Sequence, residues 1–515
     1  MAPTDFFSSL DLSTPLGWSA ALAPELFLTG AALVVLLFVA WRHSTAADAR
    51  IAGWLTAASL VLGLLLLVGM AAAGISAEGI PQMIAIDDFR WAGGALVLIA
   101  AIATVLLSIG YLEREGIVAP EYYVLILLAV VGMLCMVGAA DLIVLFLGLE
   151  IMSVSVYVLA GYDRQSAFSA EAALKYFLIG AFGSAFLLYG IALVYGATGN
   201  TNLQLIGTQL AGAKLTTMAA LGLALLLIGL LFKVAAAPFH MWAPDVYEGA
   251  PTPITTFMAT AVKVAGFLAL VRVLMQSFPE AAVSWSGPIG ILAAITMILG
   301  NLVALSQRSL KRMLAYSSVA HAGYILIAVR PGTTYGVAAV WLYLAAYTLT
   351  SIVTFGVLQS LGRSGERDVT LDRIAGLSEE RPWLAFAMTV GMLSLLGFPG
   401  TFGFMGKWWL LNASIADGER TLPVILVLSS VVSAGYYMPV IMSMYMRKSP
   451  APGTYADAKL GRAGAFVVAT ATIAVLLFGL LPGGVNIGDH AWGSLIGYAD
   501  RVSETLRIVY NSQGR

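Results

Sequence analysis

A single cysteine, Cys135, set in an apolar run, leaves no thiols for an intrachain disulfide, a cysteine-ligated iron–sulfur cluster or a zinc site of several thiolates. It reads as a small core residue. Histidine is almost as scarce, and His43, His240, His321 and His490 show no HExxH or Cys-His spacing, which argues against a dedicated transition-metal or haem site. Charge is thin as well: Asp, Glu, Lys and Arg make up 11% of the chain, against roughly 25% in an ordinary soluble domain. The 27 basic and 28 acidic residues nearly cancel, so no overall field favours nucleic acid or an acidic partner. No GxGxxG follows a predicted strand, and no polar segment is long enough for a dinucleotide fold. The stretch Gly400 to Lys407 fails as a phosphate loop, because the spacing from Gly400 to Gly406 is one residue too long and Trp408 stands where a magnesium-binding Ser or Thr is needed. Lys and Arg are missing from MAPTDFFSSLDLSTPLGW, whereas a cleavable signal peptide needs a positive start, so the first helix is expected to stay.

Apolar sequence is what the chain has in abundance. Hydrophobic residues make up 60% of it, in blocks of helix length that recur from Ala21 to Leu481 without a long polar interruption. With a rise of ~1.5 Å per residue, a helix needs ~20 apolar residues to cross a hydrocarbon core of ~30 Å. Segments that meet this requirement begin near residues 22, 51, 92, 120, 141, 169, 216, 253, 284, 309, 333, 380, 422 and 461. The expected fold is therefore all-α: one polytopic membrane domain over residues 1–515 with about 14 transmembrane helices. Residues 483–515 form a short C-terminal tail with room for one interfacial helix. Loops then alternate between two faces. The set that includes Arg42, Arg50, Arg114, Arg164, Arg308 and Arg447 carries about twice the Lys and Arg of the other, which puts both termini on the outer side.

Ionisable residues inside these helices are functional candidates, because a charge at mid-bilayer costs at least ~2.5 kcal/mol and must face protein or water. Glu150 is the lone acid in DLIVLFLGLEIMSVSVYVLAGY; the bland alternative is an interhelical hydrogen bond. Lys233 precedes Pro238, which must break its helix, and Lys263 sits ten residues into the next one, so a hairpin brings two ammonium groups to similar depth. Lys407 follows a second break at Pro399. Two broken helices, each with a lysine, running in opposite directions, are the pattern of an inverted repeat. Lys175 competes with an ordinary surface pair to Glu171, and Arg272 is expected to snorkel to the outer surface as an anchor. His240 and His321, the latter beside Ser317 and Ser318, are candidates for a water wire or for structural hydrogen bonds.

The blocks GLEIMSVSVYVLAGYDRQSAFSAEAALKYFLIGAFGSAFLLYG, FKVAAAPFHMWAPDVYEGAPTPITTFMATAVKVAGF, SLKRMLAYSSVAHAGY and GFPGTFGFMGKWWL closely resemble the N subunits of bacterial NADH-quinone oxidoreductase, respiratory complex I. The likeness runs over nearly the whole chain. It implies fourteen helices with two inverted five-helix repeats, here 120–277 and 284–447, each with a broken helix. It also implies a central hydrophilic axis of Glu150, Lys233, Lys263 and Lys407. Lys175, His240 and His321, singled out by the residues themselves, join these four in the expected proton path. M subunits typically carry glutamate where Lys407 stands, and L subunits extend into a lateral helix for which too little sequence follows Leu481. The resemblance implies a proton-translocating inner-membrane subunit with no redox cofactor of its own. NADH, FMN, iron–sulfur clusters and quinone are expected on partner subunits, and the M, L, K and J subunits and lipids as neighbours. The rival readings are a subunit of a cation/proton antiporter and a purely structural connector.

Overall fold

The computed structural model describes residues 14–42, 45–75, 83–212, 214–362, 369–449, 454–455, 458, 460–481 and 495–511. His43, His490 and the first part of the predicted tail lie outside the described residues. A short α1 (Pro15–Ala21) leads into α2 (Ala23–Trp41), α3 (Ala46–Ala72), α4 (Asp88–Arg114), α5 (Glu121–Gly138), α6 (Leu142–Ala160) and α7 (Ala167–Thr198). After the short α8 (Leu203–Leu210), α9 (Thr217–Lys233) and α10 (Trp242–Gly249) form one interrupted span. The next span is α11 (Thr252–Phe257), a π-helical turn over Met258–Val262 and α12 (Lys263–Ser277). α13 (Ala282–Leu305), α14 (Leu310–Val329) and α15 (Thr334–Leu361) follow, and a single turn, α16 (Leu377–Glu380), precedes the second interrupted span of α17 (Pro382–Leu396) and α18 (Phe402–Ala416). The chain ends in α19 (Thr421–Met446), α20 (Arg462–Leu480) and the tail helix α21 (Leu495–Asn511).

Twelve uninterrupted spans among the described residues are long and apolar enough to cross a membrane, and the two interrupted ones bring the crossings to the expected fourteen. Start signals are the ordinary ones. Thr45 and Asp48 make a capping box, and Asp87, Asp141, Thr216 and Ser309 each accept a first-turn N–H through a side-chain oxygen.

Burial sorts the helices into an inside and a rim. The apolar window of Thr252–Ser277 is 100% buried and that of α15 94%, whereas those of α2, α3, α7 and α19 are 33% buried. The helix that carries Lys263 therefore runs through the middle of the bundle. Where α7 and α9 meet, Gly183 and Gly190 face Gly222 and Gly229. A Cβ on Gly190 would lie 2.6 Å from the Leu226 nitrogen, so only glycine permits this close approach.

Two backbone hydrogen bonds have matching places in the chain. At the start of α6, Leu142 N–H donates to the carbonyl of Thr201, just past α7, at 2.9 Å. At the start of α14, Leu310 N–H donates to the carbonyl of Val369, just past α15, also at 2.9 Å. An odd number of crossings separates the two starts, so the bonds lie on opposite faces.

Arg272 does not snorkel. It is 1% exposed, its two terminal nitrogens donate to both Asp87 oxygens at 2.7 and 2.8 Å, and its Nε donates to the Val137 carbonyl at 2.9 Å. Arg90 is likewise buried, in the first turn of α4. It donates to both Glu25 oxygens at 2.8 and 2.9 Å and to the Ala21 and Ala85 carbonyls. Together the two arginines fasten α2, α4, α5 and α12. Burial alone would raise the Asp87 carboxyl, but the Arg272 guanidinium and the Arg90 N–H and charge hold it below the usual carboxylate range.

Breaking one partner of such a pair strands a buried charge, so Asp87→Asn is expected to cost about 3–5 kcal/mol. The measurement is the amount of chain retained in membranes after graded heating, and Asp87→Asn combined with Arg272→Met should recover part of the loss. Because the Asp87 pKa is lowered on folding, its contribution is fully present above the unfolded value of ~3.9 and is lost only as pH falls through the lower folded value.

Candidate functional site

The lysine row is built where helices stop. Lys233 is the last residue of α9 and 2% exposed. Beyond it the chain turns through Ala235, at φ 60°, towards Pro238, and Ala237 N–H is taken by Thr296 Oγ1 at 2.9 Å. Lys233 Nζ donates to Ser153 Oγ on α6 at 2.8 Å and lies 5.6 and 5.7 Å from the ring centres of Tyr157 and Tyr176. Glu150, one helical turn before Ser153, accepts a hydrogen bond from Ser184 of α7. The first carboxylate and the first ammonium of the row thus share one face of α6.

Lys263 opens α12 directly after the π turn. It is 2% exposed, donates to the Ser318 carbonyl of α14, and sits 5.5 Å from the Tyr347 ring. One turn further on, Gly266 packs on the end of α9: a Cβ there would lie in contact with the Lys233 stem, 3.6 Å from Cγ, and tight against Val234 Cγ1 at 3.0 Å. That contact packs α12 against the Lys233 stem one turn from Lys263.

His321 stands between Lys263 and Lys407: its ring packs on Tyr347, which Lys263 faces, and on Tyr324, which Lys407 faces. Its Nδ1 meets Tyr343 Oη at 2.5 Å and its Nε2 meets Tyr437 Oη at 3.2 Å, while Tyr437 also shares a hydrogen bond with Ser317. Lys407, 4% exposed, reaches from α18 across the second break. It donates to the Leu396 carbonyl at the end of α17 (2.9 Å) and to Ser430 Oγ (3.1 Å), with its Nζ 4.8 Å from the Tyr324 ring. The break needs its glycines. Gly397 has φ 83°, which L side chains resist, and a Cβ on Gly403 would lie 1.9 Å from the Ser394 carbonyl oxygen.

Among the described residues none of these three lysines has a carboxylate at salt-bridge distance; each is held by neutral oxygens and aromatic faces. Ring faces and oxygen acceptors reduce the desolvation cost of an ammonium without tying it to a fixed counter-charge. The remaining predicted residues lie apart. His240 is buried at the first break, and its Nδ1 has no hydrogen-bond partner among the described residues. Lys175 is 41% exposed and pairs with Glu171 at 2.7 Å and Asp245 at 2.8 Å, at the rim. Ser153, Ser184 and Ser430, and the tyrosines around the row, were not legible as site residues. Ser153 and Tyr324 alone gave a signal, each standing three residues after a candidate, Glu150 or His321. No cluster of His, Cys, Asp and Glu able to hold a metal ion occurs among the described residues.

Residues 139–433 match the family described as NADH:quinone oxidoreductase/Mrp antiporter, TM. The chain is 46% identical over 481 residues to NADH-quinone oxidoreductase subunit N of Gemmatimonas aurantiaca, covering 90% of this chain and 91% of that one. Among solved structures, a chain of respiratory complex I from Thermus thermophilus with bound aureothin is similar at a TM-score of 0.74 and 36% identity, covering 90% of this chain and 98% of that one. A chain of the Mrp complex from Dietzia sp. shares the fold, with a TM-score of 0.81 at 20% identity over 96% of this chain and 98% of its own. A buried lysine row on two interrupted helices, in a chain so similar over nine-tenths of its length, leads to one conclusion: the chain belongs to the subunit N family of NADH-quinone oxidoreductase, the antiporter-like, proton-translocating membrane subunits of bacterial complex I.

Proposed function

We propose that protons cross this subunit along the row Glu150, Lys233, Lys263, His321 and Lys407, driven by redox energy released at a quinone site on neighbouring subunits. The observation that carries this reading is the row of ionisable groups inside the bundle, each seated on neutral polar partners: Glu150 on Ser184, Lys233 on Ser153, Lys263 on the Ser318 carbonyl, His321 on Tyr343 and Tyr437, and Lys407 on the Leu396 carbonyl and Ser430. A buried lysine without a fixed counter-ion is neutralised by giving its proton to a neighbour, and its flexible stem lets the amine turn to receive another. His321 suits the middle of the row, because an imidazole can accept at one nitrogen and donate at the other. Lys175 and His240, off the row, belong to its approaches in this reading.

The matched bonds of Leu142 and Leu310, on opposite faces, support two inverted repeats over 120–277 and 284–447. In each, the fourth crossing is the interrupted one, and each interruption stands beside a lysine of the row. Protons enter from the cytoplasmic side, load Lys233 and Lys263, pass His321 and leave from Lys407 to the outer side, where both termini lie. The chain works as part of the complex I assembly; its neighbours are the M and L antiporter-like subunits and the small K and J subunits. NADH, FMN, iron–sulfur clusters and quinone belong to partner chains, and this one moves charge alone.

In membranes that hold the assembled complex, Lys233→Met is expected to slow quinone-coupled proton pumping by about two orders of magnitude, the scale of a lost acid–base group. NADH oxidation by an artificial acceptor should be unchanged. Normal pumping by a fully assembled Lys233→Met enzyme removes Lys233 from the path. Tyr343→Phe deletes one hydroxyl from His321 while keeping the ring, and a lost buried hydrogen bond of ~1–1.5 kcal/mol predicts roughly tenfold slower pumping. Pumping rates at equal complex content test this directly.

A further inference from the structure

Five charged side chains line a cavity of about 270 Å³ at the face where α10 ends and α14 begins: Glu171 and Lys175 from α7, Asp245 and Glu248 from α10, and Arg312 from α14. Exposed ion pairs are usually worth little. Here they all converge on one helix that cannot hold itself. α10 is eight residues long, no side-chain hydrogen bond caps its start, and so short a helix has little stability of its own. Its place is fixed from outside. Arg312 Nη1 reaches Asp245 Oδ1 and Glu248 Oε2, each at 2.8 Å, and Lys175 takes the other Asp245 oxygen at 2.8 Å. Lys311, next to Arg312 and 0% exposed, donates to the Ala250 carbonyl that closes α10, at 2.7 Å. A fully buried ammonium spent on a helix-end carbonyl is a specific placement, not a solvated surface charge.

The far end of α10 reaches the lysine row. Trp242, its first residue, donates its indole N–H to the Phe232 carbonyl at 3.1 Å, bridging the break in the span. The same indole stacks on Tyr176, with ring centres 4.4 Å apart and planes 11° from parallel, and the Tyr176 ring lies 5.7 Å from Lys233 Nζ. Two helical turns beyond Lys311, α14 also supplies the Ser318 carbonyl to Lys263. One helix therefore grips α10 at its first turn and receives the next lysine of the row further along.

We propose that Lys311 and Arg312 are positioning residues for proton transfer: by clamping α10 to α14 they fix Trp242, and through it the Tyr176 face on which the Lys233 ammonium rests. The inference rests on Lys233 being a proton carrier and adds what holds that carrier in register. Neither residue touches the transferred proton; both act through Trp242.

The test uses the full complex in its native membrane. Arg312→Gln and Trp242→Leu are each expected to lower quinone-coupled proton pumping at least about fivefold, with complex content and NADH oxidation by an artificial acceptor unchanged, while Arg312→Lys keeps at least about half of the rate. The double variant should be no slower than the slower single one, because both changes release the same contact. Losses that multiply, normal pumping in Arg312→Gln, or a loss that merely follows the amount of assembled complex would each overturn the proposal. Should Arg312→Gln fail to assemble, Glu248→Gln paired with Trp242→Leu gives the same comparison. Lys233→Met separates the two levels: normal pumping there sinks the relay itself, whereas blocked pumping there with multiplying Arg312 and Trp242 losses sinks only the positioning role.

Discussion

A bilayer interior solvates neither a charge nor an open peptide group, and the architecture of this subunit follows from meeting both demands at the same places. Where α17 stops, the Leu396 carbonyl is left without a helical partner, and the Lys407 ammonium takes it at 2.9 Å. Where α9 stops, Lys233 is itself the terminal residue, and the indole of Trp242 closes the Phe232 carbonyl. At the second break the negative end of a half-helix thus meets an ammonium, so each defect stabilises the other. The π turn before Lys263 belongs to the same pattern, since it loosens the helical ladder beside the third ammonium.

Arginine and lysine divide the buried positive charge between two purposes. Arg272 and Arg90 hold carboxylates through paired hydrogen bonds and fasten helices that must not move relative to one another. The three lysines of the row are held instead by serine hydroxyls, backbone carbonyls and tyrosine rings. A guanidinium cannot be deprotonated in a protein, so it serves as a rivet. An amine can, which fits it for the carrier role proposed above. The choice of residue type at each buried position tracks that difference.

Much of this was readable from the chain. Apolar block length gives fourteen crossings, Pro238 and Pro399 mark the two breaks, and isolated charges single out Glu150, Lys233, Lys263 and Lys407 inside the spans. What sequence reading missed is what depends on pairing across the chain. Arg272 looks like a snorkelling anchor in sequence because its partner Asp87 is 185 residues away. Proximity to a helix end predicts snorkelling only when nothing waits inside. The tyrosine cage was invisible for a similar reason: Tyr343 and Tyr437 lie on α15 and α19, and nothing in their local sequence points to His321 on α14.

The contact map of the row also explains why α14 is among the most buried helices although its apolar window is the least hydrophobic of the twelve long spans. Most of its polar groups have partners. Lys311 and Arg312 hold α10, Ser317 bonds Tyr437, the Ser318 carbonyl receives Lys263, and His321 lies between two tyrosines. A helix with this many polar groups would be costly against lipid, and becomes affordable only at the seam between two bundles that each need something from it. Under the two-repeat reading α14 is the second helix of the second repeat, yet half of its polar partners lie in the first. In the proposed relay, a seam of that kind gives Lys263 and Lys407 one helix in common, through the Ser318 carbonyl and the Tyr324 ring, which is what a relay needs if a proton leaving one repeat is to be felt in the other.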